Sequence, residues 1–195
     1  MPPKNLVLVG FMGSGKTAVG RRVAPALGLR FVDLDDAVVE AAGKSIVDIF
    51  REDGEPAFRR LEAQAVERVA AGSGQVIAPG GGALMNQRSW DRLLGGNVVV
   101  RLQAPPAVLL RRIRHREVAR DAEGQRPRDI RPLAGVDPGA RRWPVAARRR
   151  VLQLMSEREA RYAEAPYAVE TGGRSLREVV RAVERLARDA GLGDA

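Results

Sequence analysis

A glycine-rich loop between an apolar run and a helical pattern limits this chain to few architectures. Residues 10–17 read Gly-Phe-Met-Gly-Ser-Gly-Lys-Thr and fit the P-loop pattern G-x-x-x-x-G-K-S/T. The run Asn5–Val9 predicts a buried strand before the loop, and residues 17–27 predict a helix after it. Glycines let successive backbone N–H groups turn inward around phosphate oxygens, and a helix N-terminus adds partial positive charge. The loop therefore predicts a nucleoside triphosphate site.

The rest of the chain alternates between short apolar runs and helical patterns. Further strands are predicted over residues 31–34, 75–78, 98–102 and 167–170, and further helices over residues 56–70, 107–114, 146–162 and 175–190, with another beginning at Ser45. Strands that alternate with helices favour an α/β fold with a parallel sheet, in which ligands bind beyond the carboxyl ends of the strands. No repeat or long linker divides the chain, so we expect a single domain over residues 1–195.

Composition and charge exclude several classes of site. The chain has no cysteine and one histidine, His115, which excludes disulfides, thiolate zinc sites and multi-histidine metal sites. No apolar run approaches the ~18 residues of a membrane span, so we expect no membrane-spanning segment and a cytoplasmic protein. The net charge is +9, and residues 111–150 contain 13 arginines against five acids. This basic segment predicts an anion-binding surface, and its polar part, residues 116–145, predicts a mobile insertion.

A group of acids follows the second predicted strand. Residues 33–36 read Asp-Leu-Asp-Asp. If the chain stays extended there, alternation puts Asp33 and Asp35 on the same side, ~6–7 Å apart. One carboxylate would then support magnesium while the other faces a phosphate acceptor. An acidic turn that caps the following helix is the structural alternative.

A charged helix face and a run of glycines come next along the chain. Arg59 and Glu62 lie three residues apart in a predicted helix, so their side chains can form an ion pair. Residues 80–82 are three glycines after the third strand, and they permit a ligand to approach the backbone closely. A solvated helix face and a flexible turn are the respective structural alternatives.

Read in order, these segments resemble the shikimate kinase family. The P-loop is followed by F-x-D-x-D, F-R-R-x-E and G-G-G-A, then by Arg131-Pro132-Leu133 and by Arg158 before Tyr162. The resemblance covers roughly residues 5–185. Other P-loop classes fit less well, because no acid ends the strand at residues 98–102 as in ATPase motors, and no guanine-reading Asn/Thr-Lys-x-Asp stretch occurs.

The resemblance implies a fold and an activity. The fold is like that of nucleoside monophosphate kinases, with three αβα layers, a five-stranded parallel sheet, an acceptor-binding region at residues 35–62 and a mobile lid at about residues 112–150. This lid is longer than the family pattern. The implied reaction transfers the γ-phosphoryl group of ATP to the 3-hydroxyl of shikimate during aromatic amino-acid synthesis. ATP would be the co-substrate and Mg²⁺ the cofactor.

The resemblance also assigns residues to roles. The implied catalytic residues are Lys16, Asp35 and Arg131. The implied ATP-binding residues are Gly13, Ser14, Gly15, Lys16, Thr17, Ala18, Arg131 and Arg174, the last because its loop follows the fifth strand. The implied shikimate-binding residues are Asp35, Arg59, Gly80, Gly81, Gly82 and Arg158, and the implied magnesium ligands are Thr17 and Asp33.

Several alternatives remain open at the level of sequence. Arg126-Pro127 offers a second register for the lid arginine beside Arg131, and either Arg111 or Arg112 packs on adenine. The acceptor is shikimate or another small hydroxylated compound such as gluconate. A nucleic-acid-binding NTPase that uses residues 111–150 is the competing class, although the segment lacks the interleaved aromatics that stack on bases. We expect a monomer without a specific nucleic-acid partner.

Overall fold

The computed structural model describes residues 3–122 and 145–193, in which strands and helices alternate. The strands are β1 (Asn5–Val9), β2 (Arg30–Asp33), β3 (Gln75–Ala78), β4 (Val98–Gln103) and β5 (Tyr167–Glu170). The helices are α1 (Lys16–Ala26), α2 (Leu34–Ala42), α3 (Ile46–Glu52), α4 (Gly54–Ala71), α5 (Gln87–Leu94), α6 (Pro106–Ala122), α7 (Val145–Ala163) and α8 (Leu176–Asp189). A short 3-10 helix (Ala83–Met85) follows β3.

The five strands form one parallel sheet in the order β2-β3-β1-β4-β5. Every residue of β1 and β3 is buried, which explains why these strands are continuous apolar runs rather than alternating ones. The chain crosses from one side of β1 to the other between β3 and β4. The P-loop after β1 therefore lies where strand order reverses, which is where parallel sheets bind ligands.

Alternate residues of the sheet pack against two helical layers. Leu6 and Leu8 pack with α1 and α8, whereas Val7 and Val9 pack with helices α2 to α7. The predicted three-layer αβα fold with five parallel strands is confirmed. Among the described residues, no helix is both long and apolar enough to cross a membrane.

The helices depart from the sequence prediction in three places. Two are not among the helices predicted from the apolar patterns: α2, which begins directly after β2, and α5, which packs the fully buried Trp90 into the core. In addition, α6 continues to Ala122, so residues 116–122 of the predicted insertion are helical. This stretch lacks an apolar stripe, but its arginine, alanine and glutamate residues are good helix formers.

Candidate active site

A cavity of about 770 Å³ opens at the carboxyl edge of the sheet. Its wall combines the P-loop, the end of β2, the loop after β3, one face of α6 and α7, and the loop after β5. Twelve of the predicted site residues lie on this wall: Gly13, Ser14, Gly15, Lys16, Thr17, Ala18, Asp33, Asp35, Gly80, Gly81, Arg158 and Arg174. Segments far apart in sequence thus meet at one opening.

The P-loop backbone has a positive φ, which favours glycine, at all three of its glycine positions, including Gly13 at +79°. Gly10 has φ +142° and Gly15 has φ +105°, and a Cβ at Gly10 would collide with the Leu102 carbonyl. The turn is closed by the Ser14 N–H, which donates to the Phe11 carbonyl at 3.1 Å. Because α1 begins at Lys16, its N-terminus and the backbone N–H groups of the loop meet at the cavity.

The Lys16 ammonium lies across the loop. Its Nζ donates to the Gly10 carbonyl at 2.7 Å, and the residue lines the cavity. An ammonium group is a compact charge on a flexible stem, so it can move from this carbonyl to a phosphate oxygen without a change in the backbone.

Thr17 and Asp33 meet across the boundary between α1 and β2. The Thr17 hydroxyl donates to Asp33 Oδ2 at 3.0 Å, and the other carboxylate oxygen accepts from the Asp35 N–H at 3.1 Å. Burial, and next the nearby charge of Asp35, raise the pKa of the Asp33 carboxyl above its usual value. A cation at this pair would offset the free-energy cost of burying the charged Asp33 carboxylate, so the two residues fit a divalent metal ion.

The Thr17 and Asp33 oxygens suit Mg²⁺ that is held partly by phosphate and water, rather than a metal ion enclosed entirely by protein ligands. Within residues 3–122 and 145–193, no group of three or more His, Cys, Asp or Glu side chains is arranged to hold a metal. Mg²⁺ is usually held by one or two protein oxygens together with phosphates and water. A hydroxyl and a carboxylate facing the P-loop cavity match that pattern.

Asp35 reaches the cavity by a route that the sequence did not predict. The argument from an extended chain is wrong, because β2 ends at Asp33 and Asp35 lies in the first turn of α2. Asp33 is the N-cap of that helix, which is the structural alternative considered above. Both carboxylates nevertheless line the cavity, so the cap and the candidate metal position are the same residue.

Two arginines from different helices pack against the glycine triplet, residues 80–82. A Cβ at Gly81 would lie 2.5 Å from Arg158 Nη1, and a Cβ at Gly82 would overlap Arg59 Nη1. Only glycine leaves room for both guanidinium groups. Arg158 also lies with its Cζ 6.0 Å from the centre of the Phe11 ring. Arg158 is on the cavity wall, whereas Arg59 and Gly82 lie beside it.

The predicted Arg59–Glu62 ion pair is confirmed. Arg59 Nη1 donates to Glu62 Oε2 at 2.7 Å, and Nη2 donates to Glu55 Oε1 at 2.9 Å. The Glu62 side chain is 3% exposed, whereas that of Glu55 is 48% exposed. The buried pair therefore orients the guanidinium, and the exposed one can give way to a ligand at little cost.

The opposite wall of the cavity is built by Arg112, which bridges two loops. Its guanidinium donates to the Thr171 hydroxyl at 2.8 Å, to the Thr171 carbonyl at 2.6 Å and to the Gly13 carbonyl at 3.4 Å. Arg111 is exposed and does not line the cavity, so only Arg112 of the two arginines is near a ligand. Sequence reasoning gave Thr171 no role, although its place directly after β5 puts it at the ligand-binding edge.

The single histidine and the two candidate lid arginines remain to be placed. His115, the only histidine, is exposed on α6 but forms part of the cavity wall. Arg131 and its competitor Arg126 lie outside the described residues, so the register of the lid arginine stays a prediction.

Comparison with known proteins identifies similar chains. A sequence model described as shikimate kinase matches residues 12–187. The chain is 41% identical over 188 residues to a shikimate kinase from Symbiobacterium thermophilum, covering 96% of this chain and 98% of that one. The corresponding values for a shikimate kinase from Geobacter sulfurreducens are 38% over 186 residues, covering 95% and 92%.

Solved structures give the same result at the level of the fold. The structure of shikimate kinase from Acinetobacter baumannii in complex with shikimate has a TM-score of 0.79 and 30% identity, covering 97% of this chain and 96% of that chain. A gluconokinase from Sinorhizobium meliloti covers 97% of this chain and 94% of that chain, with a TM-score of 0.54 and 23% identity. The gluconokinase likeness therefore extends to the fold alone.

Proposed function

The chain belongs to the shikimate kinase family, and from this premise we propose that its cavity is where the γ-phosphoryl group of ATP passes to the 3-hydroxyl of shikimate. The products are shikimate 3-phosphate and ADP, within aromatic amino-acid synthesis. The observation that carries the proposal is that the P-loop and the glycine triplet with Arg158 open onto the same cavity. One end suits phosphates and the other suits a small carboxylate.

The P-loop end binds the triphosphate in this proposal. Backbone N–H groups of residues 13–18 surround the phosphate oxygens, and Lys16 leaves the Gly10 carbonyl for the β- and γ-phosphates. Arg112 and Arg174 border the nucleoside, because both lie on the wall next to the loop that follows β5. Arg112 is thus our choice between the two arginines for contact with adenine.

Thr17 and Asp33 would hold Mg²⁺. Their oxygens are joined by a 3.0 Å hydrogen bond, and the raised pKa of Asp33 marks a position where added positive charge is favourable. When bound with ATP, the ion supplies positive charge to the phosphate oxygens. Removal of the metal by a chelator should abolish turnover.

The glycine end binds shikimate. Its carboxylate needs permanently charged forks, and Arg158 and Arg59 converge there over Gly81 and Gly82. Gly80 supplies backbone without a side chain on the same wall. Asp35 accepts hydrogen bonds from the acceptor's hydroxyl groups, which orients the 3-hydroxyl toward the phosphate site.

The chemical step depends on alignment and charge. A loose phosphoryl-transfer transition state needs little help from a base. Asp35 takes the proton of the 3-hydroxyl as its oxygen bonds to the γ-phosphorus and the bond from that phosphorus to the departing ADP oxygen breaks, while Lys16 neutralises charge on the phosphate oxygens. Arg131 remains the predicted third cation, delivered by the lid as the site closes and water is excluded.

Acceptor-dependent ADP release tests this proposal. We would measure release with ATP and Mg²⁺ alone, then with shikimate, gluconate, a nucleoside monophosphate or DNA. Stimulation by shikimate alone is the expected result. Stimulation by another small acceptor instead would preserve the fold but refute the substrate, and stimulation by DNA would favour the nucleic-acid alternative.

Quaternary structure and location are part of the proposal. We propose a cytoplasmic monomer, because the side chains given roles on the cavity wall all come from one chain and ATP is available in that compartment. Light scattering after size exclusion tests the first point, and cell fractionation tests the second.

A further inference from the structure

β4 contains one charged residue, and that residue reaches the helix that carries Arg158. The strand reads VVVRLQ, and its arginine, Arg101, donates from Nη2 to both carboxylate oxygens of Glu159 on α7, at 2.7 and 2.9 Å. The Arg101 side chain is 17% exposed, whereas the Glu159 side chain is 61% exposed, so the two-bond pair is open to solvent on the side of the carboxylate. This ion pair joins residues 58 positions apart and connects the sheet to α7.

The position of Arg101 explains why it needs this partner. Arg101 lies opposite Val9 in the sheet, and so on the face that packs against α7. A cation on a mostly apolar face requires a counter-charge from the layer above it. Glu159 supplies that charge, so the pair fixes one point of α7 relative to the sheet.

Glu159 is the immediate neighbour of a buried arginine. The inward face of α7 consists of Val151, Leu154, Arg158 and Tyr162, all buried. Side chains reach ~5–6 Å from a helix axis, so a rotation of about 20° moves a terminal group by roughly 2 Å. Arg158 Nη1 lies so close to Gly81 that such a rotation would take it off the glycine triplet.

A second tie holds the end of the same helix. Trp90 Nε1 donates to Glu164 at 2.6 Å, and Arg161 donates to Glu164 and to Gln87 of α5. This tie keeps the end of α7 packed when the Arg101–Glu159 pair is removed. With this tie in place, we expect loss of the pair to loosen the orientation of Arg158 while α7 stays folded.

We propose that Arg101 is a positioning residue for the phosphoryl transfer, which holds the Arg158 guanidinium at the shikimate end of the cavity through Glu159. Neither Arg101 nor Glu159 lines the cavity, so they act through α7 and not on the substrate. The inference rests on the proposed function, because it assumes that Arg158 binds the carboxylate of shikimate.

The test compares identical substitutions two residues apart on α7. Glu159→Gln breaks the tie to Arg101, whereas Glu157→Gln removes a carboxylate that accepts from Gln153 and pairs with Arg150, both within the same helix. We expect Glu159→Gln and Arg101→Gln to raise the KM for shikimate about five- to tenfold, because small misplacements of a binding group are costly. The KM for ATP should stay within about twofold, and Glu157→Gln should match the wild type in both values.

Two further variants make the result specific. The double variant Arg101→Gln/Glu159→Gln should have the same KM for shikimate as either single variant, because the two residues act as one unit. Arg101→Lys keeps the charge and should recover part of the loss. It also serves as the test if Arg101→Gln does not fold, since its KM for shikimate should then lie above that of the wild type.

Failure of this inference can be told apart from failure of the proposed function. If Arg158→Ala leaves the KM for shikimate unchanged, the acceptor site itself is wrong. If Arg158→Ala raises that KM but Glu159→Gln does not, only the positioning role is refuted. Equal rises of both KM values, or equal effects of Glu159→Gln and Glu157→Gln, would also overturn it.

Discussion

Replacement of Gly82 by alanine should weaken shikimate binding without straining the backbone. Gly82 has φ −82° and ψ −35°, a conformation that alanine adopts readily. The added Cβ would overlap Arg59 Nη1 and lie 2.8 Å from Arg59 Cζ and 3.0 Å from Glu62 Oε2. The methyl group must therefore push the Arg59 guanidinium away from its place beside the cavity.

The size of the effect follows from the interaction that is lost. A hydrogen bond between charged partners contributes about 1.5–3 kcal/mol, which corresponds to a rise of roughly 10- to 150-fold in the KM for shikimate. The free energy of unfolding should change less than the free energy of shikimate binding. A compatible glycine-to-alanine change stabilises by about 0.4–1 kcal/mol, and disturbance of the buried Glu62 carboxylate opposes that gain.

Coupled ADP release at saturating ATP measures the KM for shikimate, and saturating shikimate gives the KM for ATP. Gly95→Ala is the matched control, because Gly95 also has an ordinary φ of −64° and its Cβ would be crowded at 3.1 Å by the Asp91 carbonyl. In an Arg59→Ala background, Gly82→Ala should add nothing further. A Gly82→Ala enzyme whose KM for shikimate stays within about twofold of the wild type would refute the reasoning.

Three other substitutions test the phosphate end. Lys16→Ala should lower kcat by at least ~100-fold with an unchanged circular dichroism spectrum, and retained turnover would remove the P-loop assignment. Asp33→Asn should raise the Tm of the nucleotide-free protein at neutral pH, because burial raises the pKa of Asp33 and its charge then destabilises the folded state. The gain in Tm should vanish as the pH falls toward ~3.9, the carboxyl pKa of the unfolded chain, because both the folded and the unfolded states then bind the proton. A lower Tm for Asp33→Asn at pH 7 would contradict the expected direction of the change. Arg131→Ala should lower kcat with little change in the KM for shikimate, and the same result from Arg126→Ala instead would mean that the lid register is wrong.

Features that depend on neighbouring residues could be predicted from the sequence. The P-loop positions need glycine for their backbone angles, and this need is local. The helix predicted from residue 175 is α8, which is capped by the Ser175 side chain, and this side chain accepts from the Glu178 N–H at 3.3 Å. The Arg59–Glu62 pair follows from a spacing of three on one helix.

Predictions failed where a local pattern had two solutions. Residues 33–36 suit an extended chain and also a capped helix start, and packing of Leu34 and Val38 in the core selects the helix. In the eight-residue α5, Trp90, Leu93 and Leu94 have helical spacing, but a helix this short is marginal by itself, and burial of Trp90 stabilises it. In both segments tertiary packing outweighs local preference.

The sequence alone determined the class of site, because a P-loop, an arginine three residues from a glutamate and a run of glycines each express their chemistry over a few positions. Tertiary structure decided which groups meet. Arg158 reaches Gly81, Arg112 rather than Arg111 reaches Thr171, and Arg101 reaches Glu159 only because the strand order and the helical layers bring them together. Contacts between residues 58 or more positions apart depend on the packing of the whole chain, which no short pattern records.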